Sequence, residues 1–361
     1  MKRRTVNRTA LAGVAVLAVT GVIGCAQERR PPATPITLAS APAPERLTPE
    51  VARRAFRAYT VNEDVARASG DERLALSWAG DGQSQLIAAA FRKAAFTGEP
   101  VPRYGYGEPR LYVPRLDRYP QWFVAVTDRT TGSGPGGPAD GRRPAAGTGP
   151  ENTAIMAFLR TSPADRWRLS LATLLNKKAK IPQVTVDQEG YATPLATFDG
   201  GLVIQPRGVP AIQATLAGEG SGSVAVSVMR KGPYTTGYYG EARKEKKRAE
   251  EAGLAYDTVF TASGFPIFPL RTADGGGLVL YALSRNTVTF LKNSRKGHLA
   301  IPRDAAHLLD TLVLRDEINV TETLQFSATV PAQTTGEKSP PKAEVIAHDG
   351  AVTRAVTRKS A

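Results

Sequence analysis

One cysteine, three histidines, three methionines and three tryptophans are all that 361 residues contain of those types. A single thiol excludes an intramolecular disulfide framework, so the folded part must stand on apolar packing. The histidines, His298, His307 and His348, do not stand at the spacing of a zinc site. No Gly-x-Ser-x-Gly elbow and no Gly-Lys-Ser/Thr phosphate loop occurs, which removes the serine-hydrolase and nucleotide-triphosphatase signatures. Long apolar runs are also missing. The best, Ala10 to Ile23, would reach about 21 Å as a helix, short of a hydrocarbon core of roughly 30 Å.

That short run is framed by Lys2, Arg3, Arg4 and Arg8 before it and Gly24-Cys25 after it, the three zones of an export leader. Val22-Ile23-Gly24-Cys25 resembles the lipobox of bacterial lipoproteins. The resemblance implies cleavage before Cys25, diacylation of its thiol, palmitate included, and a mature protein held on the outer face of the cytoplasmic membrane. Arg3-Arg4 leaves the general secretory and twin-arginine routes both open.

Acidic residues are in deficit, 33 Asp and Glu against 47 Lys and Arg, for a net charge of +14. The leader holds four basic residues and no acidic one, so the mature chain keeps +10. An exported, tethered protein of that charge meets anionic lipid, anionic wall polymer or an envelope protein rather than nucleic acid. The densest basic stretch is Glu241 to Glu251, with Arg243, Lys244, Lys246, Lys247 and Arg248 as candidate contacts; the plainer reading is a solvated helix laced by i,i+4 pairs.

After a proline-rich tether over 25–46, Thr48-Pro49-Glu50 is a helix start: a capping hydroxyl, proline where no donor is needed, and an acid near the positive end. Helical spacing follows in Val51, Ala55, Phe56 and Tyr59, then over 71–78 and 83–96. Strands are predicted at 122–126, 154–159 and 167–171, with 131–150, rich in glycine and proline, as a disordered insertion. A second unit begins near 181 with helices at 209–217 and 240–252 and strands at 256–260, 277–283, 287–291 and 320–330. The domain reading is thus 47–176 and 181–331, with 332–361 as a disordered tail. An offset of 156 residues lays Arg115 on Arg271, Arg129 on Arg285 and the apolar 122–126 on 278–282, which suggests an internal duplication.

Tyr59-Thr60-Val61-Asn62-Glu63 and Leu270-Arg271-Thr272-Ala273-Asp274-Gly275-Gly276, together with the lipobox, resemble a functionally uncharacterised group of actinobacterial lipoproteins. The order of helices before a curved sheet is similar to the cone-shaped fold of nuclear transport factor 2 and the ketosteroid isomerases. The expected fold class is α+β: two related domains, each of helices plus a curved antiparallel sheet. That resemblance implies a pocket and no particular chemistry.

The remaining chemical signals are weak. Gly132 to Gly137 has dinucleotide-loop spacing but lies in low-complexity sequence, and Ser339 with Lys342 lies in the tail. His307 and Asp310 share a helix face, half a metal site or an acid–base pair. Asp64, Asp71, Glu72 and Asp81 crowd the first helices, where a carboxylate in an apolar cone could serve as a base and a helix cap is the commoner role. The expectation is a non-catalytic binding or envelope-assembly module with no cofactor and no metal. The alternative is a pocket enzyme of hydrolase or isomerase type using a buried carboxylate or His307. A deep pocket with converging ionisable groups would favour the enzyme, and filled cones the binding module.

Overall fold

A computed structural model describes residues 46–132, 152–292, 299–309, 316–334, 336 and 340–358. The leader, Cys25 and nearly all of the tether therefore lie outside the described residues, as do 133–150 of the expected insertion, His298, Asp310 and Ser339.

The chain opens on three helices. Helix α1 (Pro49–Ser69) starts where the Thr48 hydroxyl accepts from the Val51 amide at 3.2 Å and stops at Gly70, whose φ of 69° suits a residue without Cβ. Helix α2 (Glu72–Ser77) is capped by Asp71, and α3 (Asp81–Thr97) follows directly. Five strands come next: β1 (Arg103–Tyr106), β2 (Arg110–Pro114), β3 (Gln121–Gly132), β4 (Asn152–Arg160) and β5 (Arg168–Leu175). A two-residue β6 (Tyr191–Ala192) precedes two more helices, α4 (Val209–Glu219) and α5 (Thr236–Glu251). The second set of five strands is β7 (Leu254–Ala262), β8 (Phe268–Arg271), β9 (Gly277–Leu291), β10 (Glu317–Val330) and β11 (Glu344–Arg358).

Both sets pair in one pattern. In the first, β1 and β2 lie side by side along β3, then β4 and β5 follow; in the second, β7 and β8 share β9, then β10 and β11 follow, all antiparallel. The offset of 156 carries the register of β2–β3 into β8–β9, whereas β7 sits two residues shifted along β9, with Phe260 rather than Ala262 opposite Arg285. Tyr112 stands opposite Val124 in β2–β3, and Phe268 stands opposite Leu280 in β8–β9. The duplication suggested by two arginines is thus present as repeated topology.

Two expectations are corrected. First, nothing separates the halves near 176–181, because β11 pairs with β5 through Ala347–Leu175 and His348–Leu174 and the eleven strands form one sheet. Moreover, the faces turned away from the helices pack on each other, Val124, Val126, Ile155 and Ala157 of the first half against Phe268, Leu270, Leu278 and Leu280 of the second. That common core explains why the strands are nearly continuous apolar runs: they are covered on both sides. Second, the tail is not disordered over 344–358. It forms β11, paired along β10 over its whole length; Ala347 is fully buried, and a Cβ at Gly350 would lie 2.8 Å from Leu324 and 3.0 Å from the Thr323 carbonyl. Small residues at close backbone approach look featureless in sequence.

The other face of each half meets its own helices. Phe56 and Tyr59 of α1 pack on Phe158, which stacks on Phe123 at 4.8 Å between ring centroids. In the second half Tyr281, Phe326, Tyr238 and Phe260 fill the corresponding space under α4 and α5. Polar residues 284–286 do not break the chain into two strands as expected; β9 is continuous, since Arg285 turns inward and finds partners.

Candidate functional site

Between α1, α3 and the helix-facing side of β1, β3, β4, β5 and β11 the first half keeps an open cleft of about 170 Å³. One part of its wall is apolar, with Leu86, Ile87, Met156, Leu169 and Ala172. The other part is ionic and aromatic, with Glu63, Arg67, Tyr104, Tyr106, Arg129 and Asp349.

Helix geometry delivers the first of these. Tyr59, Glu63 and Arg67 follow at steps of four along α1, so they continue the apolar stripe on one face. Glu63 and Arg67 are 4% and 6% exposed, which makes them a buried ion pair. Arg67 Nε donates to Glu63 Oε1 at 3.0 Å, Arg67 Nη1 donates to the Pro102 carbonyl at 2.9 Å, and Tyr106 Oη donates to Glu63 Oε2 at 2.7 Å. Both carboxylate oxygens are thereby engaged, as a buried charge requires. The Tyr104 ring lies between two guanidinium groups, Arg67 at 4.5 Å and Arg129 at 4.4 Å from its centroid.

Asp349 comes from β11, next to His348. Successive strand residues face opposite ways, so the strand joining the halves sends one side chain into each. Asp349 Oδ1 accepts from the Gly350 amide at 2.8 Å; burial pushes its carboxyl up, against the opposing pull of Arg129 and Arg67. His348 enters the second core, stacked on Tyr234 at 4.3 Å and bonded through Nε2 to Tyr238 Oη at 3.1 Å. Burial lowers its pKa to about 4.

Two polar atoms in the cleft wall are buried and bonded to nothing in the protein: Tyr59 Oη and Gln83 Oε1. Burial and the adjacent Glu63 charge push the Tyr59 hydroxyl well up, so it stays protonated. A buried orphan costs about 1–3 kcal/mol, and both atoms are sealed within the packed wall rather than presented to the open space of the cleft.

The second half holds the counterpart with its space closed. Arg285 occupies the place of Arg129 and is 5% exposed. Its Nη1 donates to Glu241 Oε1 at 2.9 Å and lies 3.4 Å from Glu322 Oε1, while Nη2 donates to Tyr256 Oη at 3.2 Å.

The residues expected to carry chemistry lie elsewhere. His307 sits on a short 3-10 turn (Ala306–Leu308) beside α3, its pKa lowered by burial and by Lys93, and it does not line the cleft. Asp64 pairs with Arg103 at 2.7 Å, Asp71 caps α2, and Asp81 bonds Ser170. Lys342 Nζ donates to the Val226 carbonyl at 2.6 Å. On α5, Arg243, Lys244, Lys246, Lys247 and Arg248 are exposed, with Arg248 paired to Glu245 and Lys247 to Glu251. Tyr238 is buried in the core of the second half, and Tyr234 packs against it. Sequence reasoning stopped α1's stripe at Tyr59; continuing it four and eight residues would have found Glu63 and Arg67. Asp349 had no local signal, because only the sheet topology brings it here. Among the described residues no cluster of three or more His, Cys, Asp or Glu could hold a metal, and no helix is long and apolar enough to cross a membrane.

A family model described as "Domain of unknown function (DUF8094)" matches residues 43–357. An "Uncharacterized lipoprotein" of Streptomyces avermitilis is 28% identical over 177 residues, 48% of this chain and 45% of that protein. In Streptomyces coelicolor, "Uncharacterized lipoprotein SCO2278" is 24% identical over 61% of this chain and 58% of its own length. "Uncharacterized lipoprotein SCO6871" from the same species is 26% identical over 92% and 90%. The chain thus spans about half the length of the first two relatives and most of the third. No solved structure matches.

Proposed function

The chain belongs to the DUF8094 family, and from that premise we propose that it is a lipid-anchored extracytoplasmic binding protein whose first half takes a small ligand in the cleft and whose second half is a filled copy serving as scaffold. The relatives are lipoproteins by name, and the Val22-Ile23-Gly24-Cys25 stretch supplies the matching anchor through Cys25, on the outer face of the cytoplasmic membrane. The observation that carries the cleft reading is the open space itself, about 170 Å³ between the helices and the sheet of the first half, walled on one side by Leu86, Met156 and Leu169 and on the other by Tyr104, Arg129 and Asp349. Binding is favoured over catalysis because Glu63, the deepest carboxylate, is spent on Arg67 and Tyr106 and has no free oxygen to act as a base. The two halves fit a tandem of the cone-shaped units named above, one open and one closed. The exposed basic residues of α5, Arg243, Lys244, Lys246, Lys247 and Arg248, would contact anionic lipid or wall polymer once the tether brings them near.

A second reading, a pocket enzyme, is favoured by one observation: Asp349 faces the cleft with its carboxyl pushed up by burial, as a general acid needs. His307 is not among the residues that line the cleft.

Ala90 lines the cleft from α3 and is only partly buried, so Ala90→Phe would fill the space with little overpacking. Native mass spectrometry of the mature lipoprotein purified from actinobacterial membranes should find a small bound mass on the wild type that A90F lacks. Identical spectra from both would contradict the cleft reading.

A further inference from the structure

The repeated topology allows the occupant of the open cleft to be read from the closed one. Arg129 and Arg285 stand at corresponding places on β3 and β9, and the residues opposite them can be compared. Across the strand pair on one side, Arg129 faces Tyr106 and Arg285 faces Phe260. On the other side, Arg129 faces Asn152 and Arg285 faces Glu322. The second half therefore supplies Arg285 with two carboxylates, Glu322 from the adjoining strand and Glu241 from the covering helix. In the first half the adjoining strand offers an amide instead, and the helix carboxylate, Glu63, is bound by Arg67 and by the Tyr106 hydroxyl that Phe260 lacks. Asp349 lies beside Arg129, yet its one oxygen in use accepts from Gly350. Two side-chain carboxylates in one half answer to one partly buried carboxyl and a cleft in the other.

We propose that the cleft binds a small organic carboxylate, its acid group set against Arg129 in the place that Glu322 takes beside Arg285. The inference rests on the cleft reading given above and adds the ligand's chemical class. Size follows from the volume: about 170 Å³ equals roughly six waters, which suits a short acid. A charged acceptor suits the guanidinium, whose planar fork matches a carboxylate. The apolar wall of Leu86, Met156 and Leu169 takes the acid's carbon skeleton.

Isothermal titration of the mature, detergent-solubilised lipoprotein with three probes of one skeleton tests this: 3-hydroxybutyrate, 3-aminobutyrate and 1,3-butanediol. Either acid should bind saturably, at least about tenfold more tightly than the diol, and Arg129→Gln should abolish that preference while leaving the unfolding midpoint within a few degrees. Which acid binds better tells a hydroxy acid from an amino acid. Equal binding of the diol would overturn the carboxylate class and leave the cleft reading standing. Binding by none of the three would overturn both. If R129Q unfolds, Arg129→Lys, which keeps the charge and loses the fork, must weaken the acids and not the diol; equal weakening refutes the assignment.

Discussion

Removing Arg67 should expose how strongly the cleft wall depends on its ion pair. In Arg67→Met the Glu63 carboxylate remains 4% exposed with only the Tyr106 hydroxyl to compensate it, and the Pro102 carbonyl and the Tyr104 ring lose their cationic partner. Stranding a buried charge in this way costs about 3–5 kcal/mol, a drop in melting temperature on the order of 10 °C. Glu63→Met/Arg67→Met removes both charges and leaves only the Tyr106 hydroxyl and Pro102 carbonyl short of partners, for about 1–3 kcal/mol. The double variant should therefore be more stable than R67M alone. Trp78, Trp122 and Trp167 all lie in the first half, so urea unfolding followed by tryptophan fluorescence reports on this region. If R67M stayed within about 1 kcal/mol of wild type, or if the two single effects simply added, the pair would not be the buried, coupled unit described.

Other outcomes follow from neighbouring features. His348, with a pKa lowered to about 4 by burial, is neutral in the fold while the unfolded chain protonates it near pH 6.5. Its contribution is therefore present above pH 6.5 and lost as pH falls toward 4: between pH 7 and 5 the wild type should lose about 2 kcal/mol that His348→Phe does not, and parallel pH profiles for the two proteins would refute this. Gly220 has φ of +74° and a Cβ there would lie 2.3 Å from Tyr239, so Gly220→Ala should cost about 1–3 kcal/mol in denaturant titration yet leave probe binding in the cleft unchanged. Cys25→Ser should move the protein from the membrane fraction to the medium or leave it unprocessed, and undiminished membrane retention would count against the anchor.

Much of this architecture can be read from periodicity, and what cannot has identifiable causes. Caps and apolar spacing locate α1 through α3 to within a few residues, because Thr48, Gly70, Asp71 and Gly98 punctuate them locally. The strands β3 and β4 and the first part of β9 appear as apolar runs because they are buried on both faces, whereas β10 alternates apolar with polar residues. Strands β1, β2 and β8 are short, and β11 mixes alanine and valine with His348, Asp349, Arg354 and Arg358 in no clean alternation. The cleft divides the same way. Tyr59, Glu63 and Arg67 are a local stripe, and Arg129 is marked by its match with Arg285, whereas Asp349 arrives from some 280 residues beyond Arg67 through the joining of β5 to β11.

The claim that the first half is open and the second closed meets its most direct test in amide hydrogen exchange of the mature lipoprotein with and without saturating 3-hydroxybutyrate. Slower exchange confined to the 59–67 turn of α1 and to 349–351 of β11, with the peptides around Arg285 unchanged, is the predicted result. Protection centred on Arg285, Glu241 and Glu322 would place the binding site in the wrong half and contradict the account.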